Sequence, residues 1–243
     1  MSEYYRESLD LNKNLKINYK QSLEATIGNI LKCCFNDRGI DVEMETFSAL
    51  LQSMKSLEIY EDNSVFCSYD LDSNTILFNK NKNIDKDKQY YDFLSTVMDI
   101  ISTNYIDGKF TQGLTFKDED GKKYGKVLND RLKDRLILLS FGETKYNESV
   151  KDFFIDSPND SATLLDEMFV QLDSVISSND LISFYINGRS DLLLQKLGDY
   201  GKEYIKNLDK YNKENSALIR NECDLLIKSI KLIKKQENSQ KIA

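Results

Sequence analysis

YYDFLSTVMDIISTNYIDGKFTQGLTFKDEDGKKYGKVLNDRLKD, residues 90–134, pairs a periodic apolar helix with a second segment of spaced carboxylates, and its reading decides the fold. Tyr90, Phe93, Leu94, Val97, Met98, Ile101 and Tyr105 keep the i, i+3, i+4, i+7 spacing, which predicts a helix of about four turns with one buried stripe. Asp107-Gly108 is expected to end it, since glycine takes the left-handed conformation that follows a helix. Gly108 to Tyr124 reads as a loop or irregular hairpin whose tip, from Lys117 through Asp118, Glu119 and Asp120 to Lys123, is solvated. From Lys126 the helical period returns, with Val127, Leu128, Leu132, Leu136 and Leu139 inside and Asp130 and Asp134 sharing a face one turn apart.

Upstream, Leu23, Ile27, Ile30, Leu31 and Cys34 predict a helix over residues 17–34, stopped at Asn36-Asp37-Arg38-Gly39. A second helix is expected from about Val42 to Ser56, burying Met44, Phe47, Leu50, Leu51 and Met54. The period then changes. Leu57 to Tyr60, Val65 to Tyr69 and Thr75 to Phe78 are short runs dense in β-branched and aromatic residues. With turn chemistry at Asp70 to Asn74 they predict a β-hairpin within a small, three-stranded antiparallel sheet. Residues 79–88 read as an exposed connection.

Downstream, a polar stretch through Asn159 leads to an amphipathic helix over Ser161 to Ser177. Shorter helices are expected at Asp180 to Tyr185 and Asp191 to Leu197, and Lys202 to Lys235 is helical with a break near Asn212 to Asn215. The fold class is therefore α+β, mostly helical, with a helical C-terminal half. Its expected parts are a flexible arm over residues 1–16, one α+β domain over 17–200 and a helical extension over 201–243.

Composition narrows the function classes. A net charge of −7 argues against a nucleic-acid binder, because phosphate attraction needs clustered Lys and Arg. The start MSEYYRESLDLNKNLK has no apolar signal core, and no run approaches the roughly 18 apolar residues of a membrane span. A cytoplasmic setting with no membrane partner is the expectation. Cys33, Cys34, Cys67 and Cys223 lack C-x-x-C spacing and read as core thiols. The 243 residues contain no histidine, so the commonest metal ligand and the commonest general base at neutral pH are both missing. No G-x-S-x-G, G-x-x-x-x-G-K or G-x-G-x-x-G phrase occurs.

A helix, a glycine-bearing loop and a second helix with paired acids form the skeleton of a zinc metallopeptidase, where two histidines one turn apart share a metal. Tyr69-Asp70 with Asn74 and Ile76, then Ile101 to Asp107, then Tyr124-Gly125-Lys126-Val127-Leu128-Asn129-Asp130 carry the likeness. On these phrases the chain resembles small gluzincin-like proteins of low-GC Gram-positive bacteria, over roughly residues 41–200. The resemblance implies a zincin-like framework, and it lays the two zinc histidines on Thr96 and Ile100 and the catalytic glutamate on Val97. Asp130 takes the third ligand position, with Asp134 outside it. Valine and isoleucine neither bind zinc nor move protons, so the resemblance implies a vestigial site with no metal, no cofactor and no catalytic residue.

Two expectations follow. The first is a non-catalytic pseudo-metallopeptidase that binds another protein, with Lys117, Asp118, Glu119 and Asp120 as the interaction loop. The alternative is a small acidic inhibitor or regulator, of mobile-element origin for example, that occupies a basic groove on its target. Lys228, Lys231, Lys234 and Lys235 read either as the solvated face of a helix or as a contact for an acidic partner.

Overall fold

Leu23, Ile27, Ile30 and Leu31 fall on one stripe, and the chain there forms α1 (Leu15–Lys32), which ends in a single wide π-helical turn at Cys33–Asp37. The computed structural model describes residues 15–61, 67–78, 86–106, 108–141, 170–211 and 214–242. Expectations for the N-terminal arm, for the connection at 79–85, and for the polar stretch and most of the helix between 142 and 169 lie outside the described residues.

Helix α2 (Met44–Ser56) forms as expected but is rotated from the predicted stripe. Met44 and Leu51 are exposed, while Thr46, Ala49, Leu50 and Ser53 face inward. The inward polar groups are held by partners distant in sequence. Thr46 donates to Asn104 Oδ1 at 2.9 Å, and Ser53 donates to Asn74 Oδ1 at 2.9 Å. Those hydrogen bonds offset the burial of hydroxyls and fix a face that apolar periodicity alone misses.

Strands β1 (Glu58–Glu61), β2 (Cys67–Asp70) and β3 (Thr75–Phe78) form the three-stranded sheet, in the order β1-β3-β2. The β2–β3 hairpin is antiparallel as predicted, but β1 runs parallel to β3, so the sheet is mixed. Asn74, at φ 51°, closes the hairpin turn, and its amide donates to the Ser53 carbonyl, tying the turn to α2.

Helix α3 (Lys86–Ile101) is the central helix. It stops at Ile101, before the predicted Asp107-Gly108, because Ser102 and Thr103 turn their hydroxyls back onto the Asp99 carbonyl at 3.3 and 3.0 Å. The chain then enters β4 (Thr103–Ile106), which pairs antiparallel with β5 (Lys109–Gln112), so Tyr105 lies on an exposed strand face and not on the helical stripe. Asn104, buried in β4, donates to the carbonyls of Ser102 and Ile186, both at 2.9 Å. A smaller hairpin follows: β6 (Phe116–Lys117) with β7 (Lys123–Tyr124).

Helix α4 (Lys126–Phe141) packs against α3, with Leu128, Leu132 and Leu136 buried. Gly125 precedes it at φ +89°, and a Cβ there would lie 2.4 Å from the Phe116 ring, so this junction requires glycine for both conformation and space. Among the described residues of the C-terminal half are helices α5 (Ser178–Ile186), α6 (Ser190–Lys210) and α7 (Ser216–Ile242). The two helices predicted over 191–197 and from 202 onward are continuous in α6, kinked at Gly198 with φ 67°. Position 200/201 therefore falls inside a helix, and Tyr204, Ile205 and Leu208 beyond it join the same hydrophobic cluster as Val97, Leu132 and Ile30. The architecture is α+β and mostly helical. No helix among the described residues is long and apolar enough to cross a membrane.

Candidate functional site

The polar seam between α3 and α4 holds two half-buried acids, Asp99 and Asp134. Tyr91 on α3 donates its hydroxyl to Asp134 Oδ1 on α4 at 2.8 Å. Two turns along, Lys133 on α4 donates to Asp99 Oδ1 on α3 at 3.1 Å. Arg131 approaches Asp134 at 3.9 Å. From α5, the buried Tyr185 hydroxyl meets the buried Ser102 hydroxyl at 3.3 Å. The Tyr91–Asp134 hydrogen bond and the Lys133–Asp99 ion pair tie the two helices together in addition to the leucine packing.

Burial sets the electrostatics of this seam. It pushes the Asp134 carboxyl up to about 6; the Tyr91 hydroxyl and the Arg131 and Lys133 charges pull the other way, and the Asp130 charge adds to the rise. Burial also raises Asp99, opposed by the Lys133 ammonium. The Tyr91 and Tyr185 hydroxyls are pushed well above the ordinary phenol range by burial first and the neighbouring carboxylates second. A carboxyl near 6 has the protonation behaviour of a general acid. Here its oxygen is engaged with Tyr91, and its strongest interactions are those that hold two helices together.

The residues singled out by the sequence separate into two groups. Asp130 and Asp134 belong to this seam, Asp130 on its exposed rim. Thr96, Val97 and Ile100 do not. All three are buried, and Thr96 hydrogen-bonds with Cys67 on β2, on the side of α3 that meets the sheet. At about 100° per residue, Thr96 and Ile100 lie about 140° and about 180° round the helix from Tyr91. Asp99, not Thr96 or Ile100, stands opposite Asp130 and Lys133. The sequence reading does not single out Tyr91, Asp99 and Tyr185; the signal for the first two is the polar file Tyr91, Ser95, Asp99 at four-residue steps along an otherwise apolar helix.

These positions do not fit a zinc ion. A hydroxyl bonded to a thiol, two aliphatic side chains and one rim carboxylate supply neither the number nor the type of ligands that a tetrahedral site requires. Among the described residues no group of three or more Cys, Asp and Glu side chains is arranged to hold a metal.

The third predicted feature, the tip Lys117 to Asp120, is the β6–β7 turn. Asp118 accepts from the Lys122 backbone N–H at 2.7 Å, which leaves Glu119 and Asp120 exposed at the apex. The β4–β5 hairpin presents Tyr105 and Phe110 to solvent as an edge-to-face pair with ring centroids 5.1 Å apart. An open groove of about 460 Å³ runs between α1 and the edge strand β1, lined by Lys20, Gln21, Glu24, Leu57, Ile59 and Tyr60.

Comparison with protein-family models, with curated proteins and with solved structures returns no match.

Proposed function

We propose that this chain is a non-catalytic protein-binding module on a metallopeptidase-like framework, and that its partner contacts the β4–β5 hairpin. The carrying observation is the Tyr105–Phe110 pair. A hairpin ordinarily turns its largest rings inward, yet here they are 61% and 38% exposed and packed on each other. Met44 is exposed on α2, the helix packed against β4. Exposed aromatic anchors on a rigid hairpin have the character of interface centres. The burial of Thr96, Val97 and Ile100 supports the non-catalytic part of the reading, because those positions are committed to packing.

The alternative, an acidic inhibitor that enters a basic groove, draws on the net charge of −7. The β6–β7 tip supports it less well, since Lys117, Lys122 and Lys123 cancel Asp118, Glu119 and Asp120. Binding through the aromatic pair is expected to survive high salt, whereas binding steered by charge weakens with ionic strength.

The test combines a metal and a binding measurement. After dialysis against zinc, the protein should carry well under one equivalent and show no chelator-sensitive peptidase activity. Affinity capture from a bacterial lysate should recover a protein whose retention is lost in the Tyr105→Ala/Phe110→Ala variant and kept at high salt. Stoichiometric zinc with peptidase activity, or capture indifferent to the double substitution, would overturn the reading.

A further inference from the structure

Helix α7 carries two apolar lines, and the fold uses only one of them. Ile219, Cys223, Ile227 and Ile230 are buried, and α6 is the helix packed against α7. On the opposite side Leu218, Leu225 and Leu232 are 59%, 62% and 59% exposed, at intervals of seven residues. Residues seven apart on a helix lie within about 20° of one another, so the three leucines form one narrow apolar line that a second helix running alongside could cover. At about 1.5 Å per residue, the file spans two heptads, or about 21 Å of exposed helix.

Charge identifies the occupant. Helix α7 has six basic and three acidic side chains, net +3 in a chain of net −7. The fold draws two of those acids to its own contacts: Glu222 accepts from Asn207 at 3.1 Å, and Asp224 accepts from Gln171 at 2.5 Å. It also takes one lysine, since Lys234 donates to the Val175 carbonyl at 2.5 Å. Lys228, Lys231 and Lys235 remain exposed, in a row on one flank of the leucine file, and none has an ion pair among the described residues. The outer surface of α7 is thus a line of leucine edged by ammonium groups.

We infer that the outer face of α7 is a docking site for an amphipathic helix of a partner protein whose apolar stripe is flanked by Asp or Glu. The inference rests on the protein-binding reading above and adds a second contact surface with a stated chemistry. Partner leucine-like side chains would interleave with Leu218, Leu225 and Leu232, and its carboxylates would meet Lys228, Lys231 and Lys235. A second copy of this chain is the poorer occupant, because it sets one net +3 helix against another. An anionic membrane is also poorer: the leucines stand in single file beside Asn221, Ser229 and Gln236, and the whole chain is repelled at −7.

The full chain is to be panned against a display library of amphipathic helical peptides randomised at the flanking positions. Recovered binders should be enriched in Asp and Glu on one flank, and their affinity should fall about tenfold or more on Leu225→Asp and on Lys228→Glu/Lys235→Glu. Both variants alter exposed side chains, so an unchanged circular dichroism spectrum and melting temperature separate lost docking from lost fold. Binders without acidic enrichment, or binding that Leu225→Asp leaves intact, overturn the inference. So would co-sedimentation with vesicles of equal parts phosphatidylcholine and phosphatidylserine, or sedimentation as a dimer, if Leu225→Asp abolishes it. Peptides that ignore Leu225→Asp but lose binding in Tyr105→Ala/Phe110→Ala would remove the α7 site and leave the hairpin reading standing.

Discussion

Replacing Asp209 by alanine is expected to destabilise the protein by about 3 kcal/mol, the cost of leaving a helix N-terminus without the carboxylate that caps it. The first backbone N–H groups of α4 have no local side-chain acceptor, since the residue before the helix is Gly125. Asp209, near the end of α6, supplies one instead. Its Oδ2 accepts from the N–H groups of Gly125 at 2.5 Å and Lys126 at 3.3 Å, and its Oδ1 accepts from Val127 at 2.8 Å. The carboxylate also sits at the positive end of the helix dipole. Asp209→Asn keeps one acceptor oxygen and loses the charge, so its cost should be intermediate, about 1–2 kcal/mol. Urea denaturation of the two variants measures both values. A cost below about 0.5 kcal/mol for Asp209→Ala, the range of ordinary surface substitutions, would refute the cap.

The second large effect is a stability that rises on mild acidification. With the Asp134 carboxyl at about 6 in the folded chain and an ordinary value of about 3.9 in the unfolded one, the folded state binds the proton more tightly. Such a group contributes fully below about pH 4, and the contribution is lost as pH rises through about 6. The difference of about two pH units corresponds to about 2 kcal/mol of stability gained between pH 7 and pH 4 from this group, and Asp99, raised by the same burial, adds in the same direction. Asp134→Asn resembles the protonated form. It should stabilise the protein at pH 7 and flatten the profile between pH 4 and 7, while Tyr91 keeps an oxygen to donate to. Denaturant midpoints across that range test this. A wild-type profile that rises toward neutral pH, or an Asp134→Asn variant weaker than wild type at pH 7, would contradict it.

Elements that bury a continuous apolar stripe could be read directly. Leu128, Leu132 and Leu136 announce α4, and the broken spacing at 212–215 separates α6 from α7, because apolar periodicity and helix geometry are the same information. Where polar side chains take inward positions, that information fails. The buried face of α2 includes Thr46 and Ser53, whose partners Asn104 and Asn74 come from two later hairpins, so the predicted Met44 and Leu51 are left outside. The end of α3 was misplaced for a related reason. Tyr105 continues the helical spacing numerically, but the strand pairing of Thr103 to Ile106 with Lys109 to Gln112 takes over the chain after Ile101.

The candidate site divides in the same manner. Asp130 and Asp134 were found because their four-residue spacing is a local property of one helix. Tyr91, Asp99 and Tyr185 escaped notice because what makes them a seam is how α3, α4 and α5 rotate against one another. The sequence by itself determined the α+β class, the succession of helices and hairpins, and the lack of any imidazole for metal or proton chemistry, since these depend on composition and on periods of two or 3.6 residues. Only the tertiary structure decided that Thr96 turns to Cys67 and the sheet, that β1 lies parallel to β3, and that Asp209 caps a helix begun 83 residues earlier. Those choices are made by hydrogen bonds and ion pairs between distant segments, and no local pattern in the chain encodes which distant partner a polar side chain will meet.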